Sequence, residues 1–192
     1  MIIYTNNTLL KEKKYILQVV FNEFLGIPYK IIFDEMVVGF DISLNNGTEL
    51  NMSSDYFCSY FINNKFLPVE VIYSNNDYIV ECDIPVLFGS DSIEVSSKKI
   101  SIDIDVFGTC FFMLSRIEET ITEDRDSHDR FPATASVAFK YNFLDRPIVD
   151  EYVEMLWNML LTLEPGLIRK KRDFKKFITC DVDWPFDPIR YS

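Results

Sequence analysis

Asp181 and Asp183 stand two residues apart, directly after the apolar run Phe177-Ile178-Thr179-Cys180. On a strand this spacing turns both carboxylates to one side, at the C-terminal end where α/β enzymes hold metal ligands and general bases. The same spacing suits a solvated turn, because Asp-x-Asp is common at strand ends. A second concentration of chemistry occupies residues 122–130, where Glu123, Asp124, Arg125, Asp126, His128, Asp129 and Arg130 make seven of nine side chains ionisable. Arg116 and Glu119 precede it. Three apart on a helix, they form an i,i+3 ion pair on a solvated face, or they meet His128 and Arg130 in a domain-docking surface or an anion pocket. Arg130 is the strongest partner for a carboxylate or another anion, because its guanidinium fork binds bidentately. His128 reads as a surface residue or, in an enzyme, as a titrating group. If this network holds the fold, Arg130 is a buried charge whose loss destabilises the protein; if it is a binding site, Arg130→Ala abolishes association and leaves melting unchanged.

Counting narrows the chemistry. His128 is the only histidine, so one copy of the chain cannot assemble a zinc site from two histidines and a carboxylate, or from three histidines. Cys58, Cys82, Cys110 and Cys180 include no CxxC pair, which fits neither a zinc ribbon nor a dense disulfide framework and suits free thiols in a reducing compartment. Nineteen basic against thirty acidic side chains leave a net charge of -11, which repels phosphate backbones and anionic membranes. Arg169, Lys170, Lys171, Arg172, Lys175 and Lys176 oppose that balance locally, but only Phe174 is interleaved with them, so they read as a linker or a solvated face rather than a nucleic-acid patch. Residues 1–8 lack a basic n-region, Lys11, Glu12, Lys13 and Lys14 interrupt the apolar residues of the first helix, and no run approaches the 18 or so apolar residues of a membrane span. A soluble, cytoplasmic protein is expected. With 48% apolar and 15% aromatic residues in 192, one domain can bury a core without metal or disulfide staples.

The elements that must position these residues alternate between helix and strand. Leu10, Leu17, Phe21 and Phe24 predict a helix over residues 8–25, with Thr8 as N-cap and Gly26 before Pro28 as its stop. Residues 29–33 read as a strand, and 37–44 with 48–52 as a hairpin around Asn46-Gly47 in a type I′ turn. Residues 55–63 suit a short helix. Runs at 69–73, 78–82 and 100–104 predict strands of one sheet. A helix over 105–120, with Asp105 as N-cap, has the broadest apolar face. Pro147 opens another helix that Pro165-Gly166 ends.

Several segments together resemble one family. Phe177-Ile178-Thr179-Cys180-Asp181-Val182-Asp183 is similar to the first motif of bacterial polysaccharide deacetylases, usually T-F-D-D and in one subgroup T-H-D-V-D. In that subgroup an N-terminal domain precedes the catalytic barrel. Its recurring segments are similar to Asp105-Val106-Phe107 running into Phe112-Met113-Leu114-Ser115-Arg116-Ile117-Glu118-Glu119, to Asp129-Arg130-Phe131-Pro132-Ala133, and to Phe143-Leu144-Asp145-Arg146-Pro147-Ile148-Val149-Asp150. The resemblance implies metal-dependent removal of acetyl groups from a glycan by the full-length protein. It implies Asp181 as general base on a metal-bound water and Asp183 as a ligand to zinc or a similar divalent metal, with two histidines from a later H-x-x-x-H motif. The metal then lowers the water's pKa and polarises the acetyl carbonyl. Cys180 replaces the subgroup's histidine, and Val182 stands where the commoner pattern has its ligating aspartate.

The expected fold is α/β, a mixed β-sheet flanked by about three helices in a single domain, followed by the first strand of a catalytic barrel. An N-terminal accessory domain over 1–168, a basic linker over 169–176 and the start of a truncated deacetylase domain over 177–192 are expected. This fragment is then inactive and holds no cofactor; the divalent metal belongs to the complete catalytic domain. Its partners are its own C-terminal catalytic domain and a polysaccharide, with no nucleic acid and no membrane, and the uncovered strand at 177–182 frays or pairs in a homodimer. One rival reading is a stand-alone enzyme or binding module for an acidic or phosphorylated sugar, using Arg116, Glu119, His128 and Arg130. The other is a protein-interaction or oligomerisation module.

Overall fold

The computed structural model describes residues 1–58, 67–80, 82–171 and 173–181. Strands β1 (Ile2–Thr5), β2 (Lys30–Phe33), β3 (Phe40–Ser43), β4 (Glu49–Met52), β7 (Gly89–Val95) and β8 (Lys99–Ile104) form one sheet in the order β2-β1-β3-β4-β8-β7. It is mixed: β1 runs parallel to β2 and β4 parallel to β8, while β1/β3, β3/β4 and β7/β8 are antiparallel. A separate two-stranded ladder joins β5 (Ile72–Ser74) to β6 (Ile84–Val86). Three long helical segments pack with the main sheet, as the sequence predicts. They are α1 (Leu10–Gln18), which continues as a π-helical stretch over Val19–Leu25, α2 (Val106–Ser115) and α5 (Ile148–Leu163). Glu118–Ile121 (α3) and Val137–Lys140 (α4) are single turns.

Period-two alternation sorts the sheet into two faces. Ile3, Phe40, Ile42, Leu50, Met52, Ile100, Ile102 and Ile104 are buried on one of them. α5 packs against β4, β8, β6 and the π-helical stretch, and α2 lies between α1 and α5. Aromatic edges interlock there: the Phe107 ring meets Phe40 at 4.7 Å and Phe21 at 5.9 Å between centroids, geometries that add specificity to simple area burial. The other face carries Tyr4, Asp41, Ser43, Asn51 and Ser101, which stay partly exposed.

Local chemistry corrects several expectations. Thr8 does not cap α1; Leu9 occupies the N-cap at φ 51°, and the Thr8 N–H donates to Asn6 Oδ1 at 3.1 Å. Gly26 ends the helical stretch at φ 65°, as expected. The hairpin forms, but Gly47 alone is left-handed (φ 83°), so Asn45 and Asn46 make an ordinary turn followed by a left-handed glycine in a three-residue loop, not a type I′ turn. Asn46 has a tertiary duty there: its Nδ2 donates to the Leu163 carbonyl at 2.8 Å and ties the loop to the end of α5. The 105–120 helix breaks at Arg116, which is left-handed at φ 52°. The strand expected at 78–82 is replaced by β6 two residues later. β5 and β6 stand apart from the sheet holding β8, because β7, which no sequence pattern marks, occupies the edge beside β8. Residues 55–58 are helical; the rest of the helix expected to residue 63 lies outside the described residues. Residues 177–181 are not in a strand, and Phe177 and Ile178 are 84% and 95% exposed.

Candidate functional site

The break at Arg116 builds the charged surface. With α2 ended in a left-handed residue, the chain turns into α3, and the Arg116 guanidinium closes on the Glu119 carboxylate through Nε and Nη2. The expected ion pair exists, but across a helix terminus rather than along a helix face. Arg125 then folds back over α3: its Nη1 donates to the Thr122 and Asp124 carbonyls (2.9 and 2.7 Å) and its Nη2 to the Glu119 carbonyl (3.1 Å). Arg125, in the sequence only one charge among seven, ties the loop to α3.

Asp126 organises the far side. Its Oδ1 accepts from the backbone N–H groups of His128 and Arg130 at 2.8 and 3.0 Å, and its Oδ2 accepts from Arg130 Nε at 3.0 Å. These bonds, the Arg130 backbone N–H foremost, hold its carboxyl below the usual range. Arg130 thus has the carboxylate partner the sequence anticipates. It is not a buried charge, however: its side chain is 70% exposed, because the loop runs over the surface where water solvates both partners.

Arg116, Glu119, Arg125, Asp129, Arg130 and Phe131 line one open depression of about 480 Å³. The structure therefore brings together Arg116, Glu119 and Arg130 and leaves His128 off the lining. Between residues 116 and 130 three arginines face six carboxylates, a local formal charge of −3. The guanidiniums are already engaged by carboxylates and carbonyls of the same loop, so an incoming anion competes with bonds in place. What the depression offers is paired donors and acceptors beside a half-buried phenyl ring, which suits the hydroxyls and C–H faces of a neutral polyol.

Asp181 is exposed, and Asp183 lies outside the described residues. Among the described residues no group of three His, Cys, Asp or Glu side chains is placed to hold a metal. The two histidines that the resemblance implies beside Asp183 are not in this sequence, whose one histidine is His128.

The most perturbed polar groups lie elsewhere, in the core. Asp105 is fully buried; its Oδ1 accepts from Gly108 N–H at 2.7 Å, the expected cap, and its Oδ2 from Tyr56 N–H at 2.8 Å. Burial pushes its carboxyl up to about 7 even though both bonds favour the ionised form. Lys13, 1% exposed, donates from Nζ to Asn6 Oδ1 at 2.7 Å and Thr5 Oγ1 at 3.1 Å, and its ammonium lies 5.4 Å from the centre of the Phe40 ring. Desolvation lowers its pKa. The signal was present in the sequence: Lys13 sits three residues after Leu10 and four before Leu17, on the apolar stripe of α1.

A family profile, a family of unknown function designated DUF7033, matches residues 1–165. The chain belongs to DUF7033. That match spans every strand and helix just described and stops two residues after α5. No curated protein and no solved structure matches the chain. No described helix of this DUF7033 chain is long and apolar enough to cross a membrane.

Proposed function

We propose that this DUF7033 domain is the non-catalytic N-terminal domain of a polysaccharide deacetylase-like protein, and that it binds the glycan or docks the catalytic domain. The observation that carries the reading is one of placement. The segment 177–183, similar to the deacetylase first motif, falls beyond the DUF7033 match and is separated from α5 by the basic stretch 169–176. The accessory segments that accompany it, by contrast, lie inside the match. Arg169 marks the transition: it pairs with both Glu154 carboxylate oxygens at 2.7 Å and stacks over Trp157. The depression at residues 116–131 supports a glycan-binding role, and the engagement of its three guanidiniums by carboxylates and carbonyls of the same loop weighs against the acidic or phosphorylated sugars of the rival reading.

Acetate release from chitooligosaccharides tests the assignment. Residues 1–192 with added Zn²⁺ or Co²⁺ are expected to release none, because the histidines that the resemblance implies are not in this sequence. Turnover by this chain that a chelator abolishes would overturn the non-catalytic assignment.

A further inference from the structure

A sheet with its apolar side chains on one face presents the alternate residues on the other, and the registers show which stand together. Tyr4, Asp41, Asn51 and Ser101 form one row across β1, β3, β4 and β8, and Ile2, Ser43, Glu49 and Lys99 form the next. All eight remain half-buried or exposed. A depression of about 310 Å³ opens there between Tyr4, Val37, Asp41, Ser43, Glu49 and Asn51.

Its polar groups are dominated by acceptors with few donors. Asn51 Nδ2 donates to Asp41 Oδ1 at 2.6 Å, which orients the pair. Asn51 Oδ1, enclosed by its neighbours, accepts no hydrogen bond among the described residues. Rotation about the last torsion of Asn51, exchanging its bond to Asp41 for one from a ligand, would present that oxygen to an incoming donor. Burial raises the Asp41 pKa against the opposing pull of Lys99 and the Asn51 bond, and Glu49 and Asp34 add smaller rises; three carboxylates against the one lysine leave added negative charge unwelcome. The two acceptors come from adjacent strands, about 4.8 Å apart in a rigid sheet, and the Tyr4 ring and Val37 flank them with apolar surface.

We propose that this face binds a pyranose through two neighbouring hydrogen-bond donors, hydroxyl or amine, received by Asp41 and Asn51 with Tyr4 alongside the ring. Uronates are excluded by the carboxylates of Asp34, Asp41 and Glu49. The proposal rests on the glycan part of the reading above and gives the glycan a place that no sequence motif marks.

The experiment is a ¹⁵N-amide titration of residues 1–192 with N-acetylglucosamine hexamer, glucosamine hexamer and galacturonate hexamer, each to about 10 mM, enough to reveal millimolar affinity. Saturable shifts are expected at Tyr4, Asp41 and Asn51 with one or both of the first two and none with the uronate; comparison of those two arms tells hydroxyl from amine. Asn51→Leu is expected to weaken binding at least tenfold, and Ser43→Arg, which fills the depression, does the same should the Leu variant fail to fold. Absence of shifts with all three sugars, shifts confined to residues 116–131, or unchanged affinity in a folded variant overturns the site. Acetate release tests the deacetylase reading separately, so failure here leaves that reading standing.

Discussion

Asp105 and Asp126 do the same local job at opposite extremes of solvation. Each accepts two hydrogen bonds from backbone N–H groups and so fixes a turn of chain. Asp126, at the surface, has its pKa lowered because water already solvates the charge and the bonds add to it. Asp105, in the core, is raised to about 7 because losing water outweighs the same kind of bond. Placement rather than residue type decides whether a carboxylate stabilises the fold by being charged, and whether it is free to meet a ligand.

The largest expected effect breaks the buried half of that comparison. Asp105→Ala removes both a helix cap and the anchor of the Tyr56 backbone, and should destabilise the domain by about 2–3 kcal/mol in urea unfolding. The pH dependence has a definite sign. A carboxyl raised from its unfolded value of 3.8 to about 7 makes the native state bind more protons between those values. Its contribution to stability is therefore full below about pH 4 and is lost, at up to about 1.4 kcal/mol per pH unit, as pH rises to 7. Thermal melting of wild type and Asp105→Asn between pH 4.5 and 8 isolates it: the Asn variant should lack this component, and parallel profiles would refute the shift.

A smaller effect is expected where the exposed network bends the backbone. Arg116 holds a left-handed conformation that costs a side chain about 1 kcal/mol relative to glycine. Arg116→Gly should therefore raise stability slightly, by up to about 1 kcal/mol, the lost ion pair with Glu119 offsetting part of it at this exposed position. A loss of several degrees in melting temperature would show instead that the pair holds α3 in place.

The smallest effect sharpens the contrast. Arg130→Ala should leave the melting temperature unchanged, because its guanidinium is mostly in water. Differential scanning calorimetry would detect a fall, and a clear one would mean that the loop packs more tightly than its exposure indicates.

Much of this architecture was readable in the sequence. The stripes on α1, α2 and α5, the cap at Asp105, the stop at Gly26 and the hairpin at Asn46-Gly47 are all local matters of period, propensity or turn chemistry, and each appears. The ion pairs around residues 116–130 were legible in part, since residues three or four apart can meet whatever lies beyond them. Three things depended on contacts between distant segments. β7 and β6 carry too little alternating apolar character to announce themselves, and pairing alone makes them strands. Lys13 stands on the apolar stripe of α1, which hints at its place, but its burial comes from Phe40 and Phe57 closing over its position.

The row of Tyr4, Asp41, Asn51 and Ser101 exists only in the folded sheet. Neighbours in it stand as much as 50 positions apart in the chain, and strand order rather than sequence spacing sets their distances. Local chemistry along the chain was enough for an acidic α/β domain and for the boundaries at Asp105 and Gly26. Tertiary structure alone decided which polar groups were stripped of water and which were gathered on an open face, because desolvation and cross-strand adjacency are properties of neighbours the chain brings from far away.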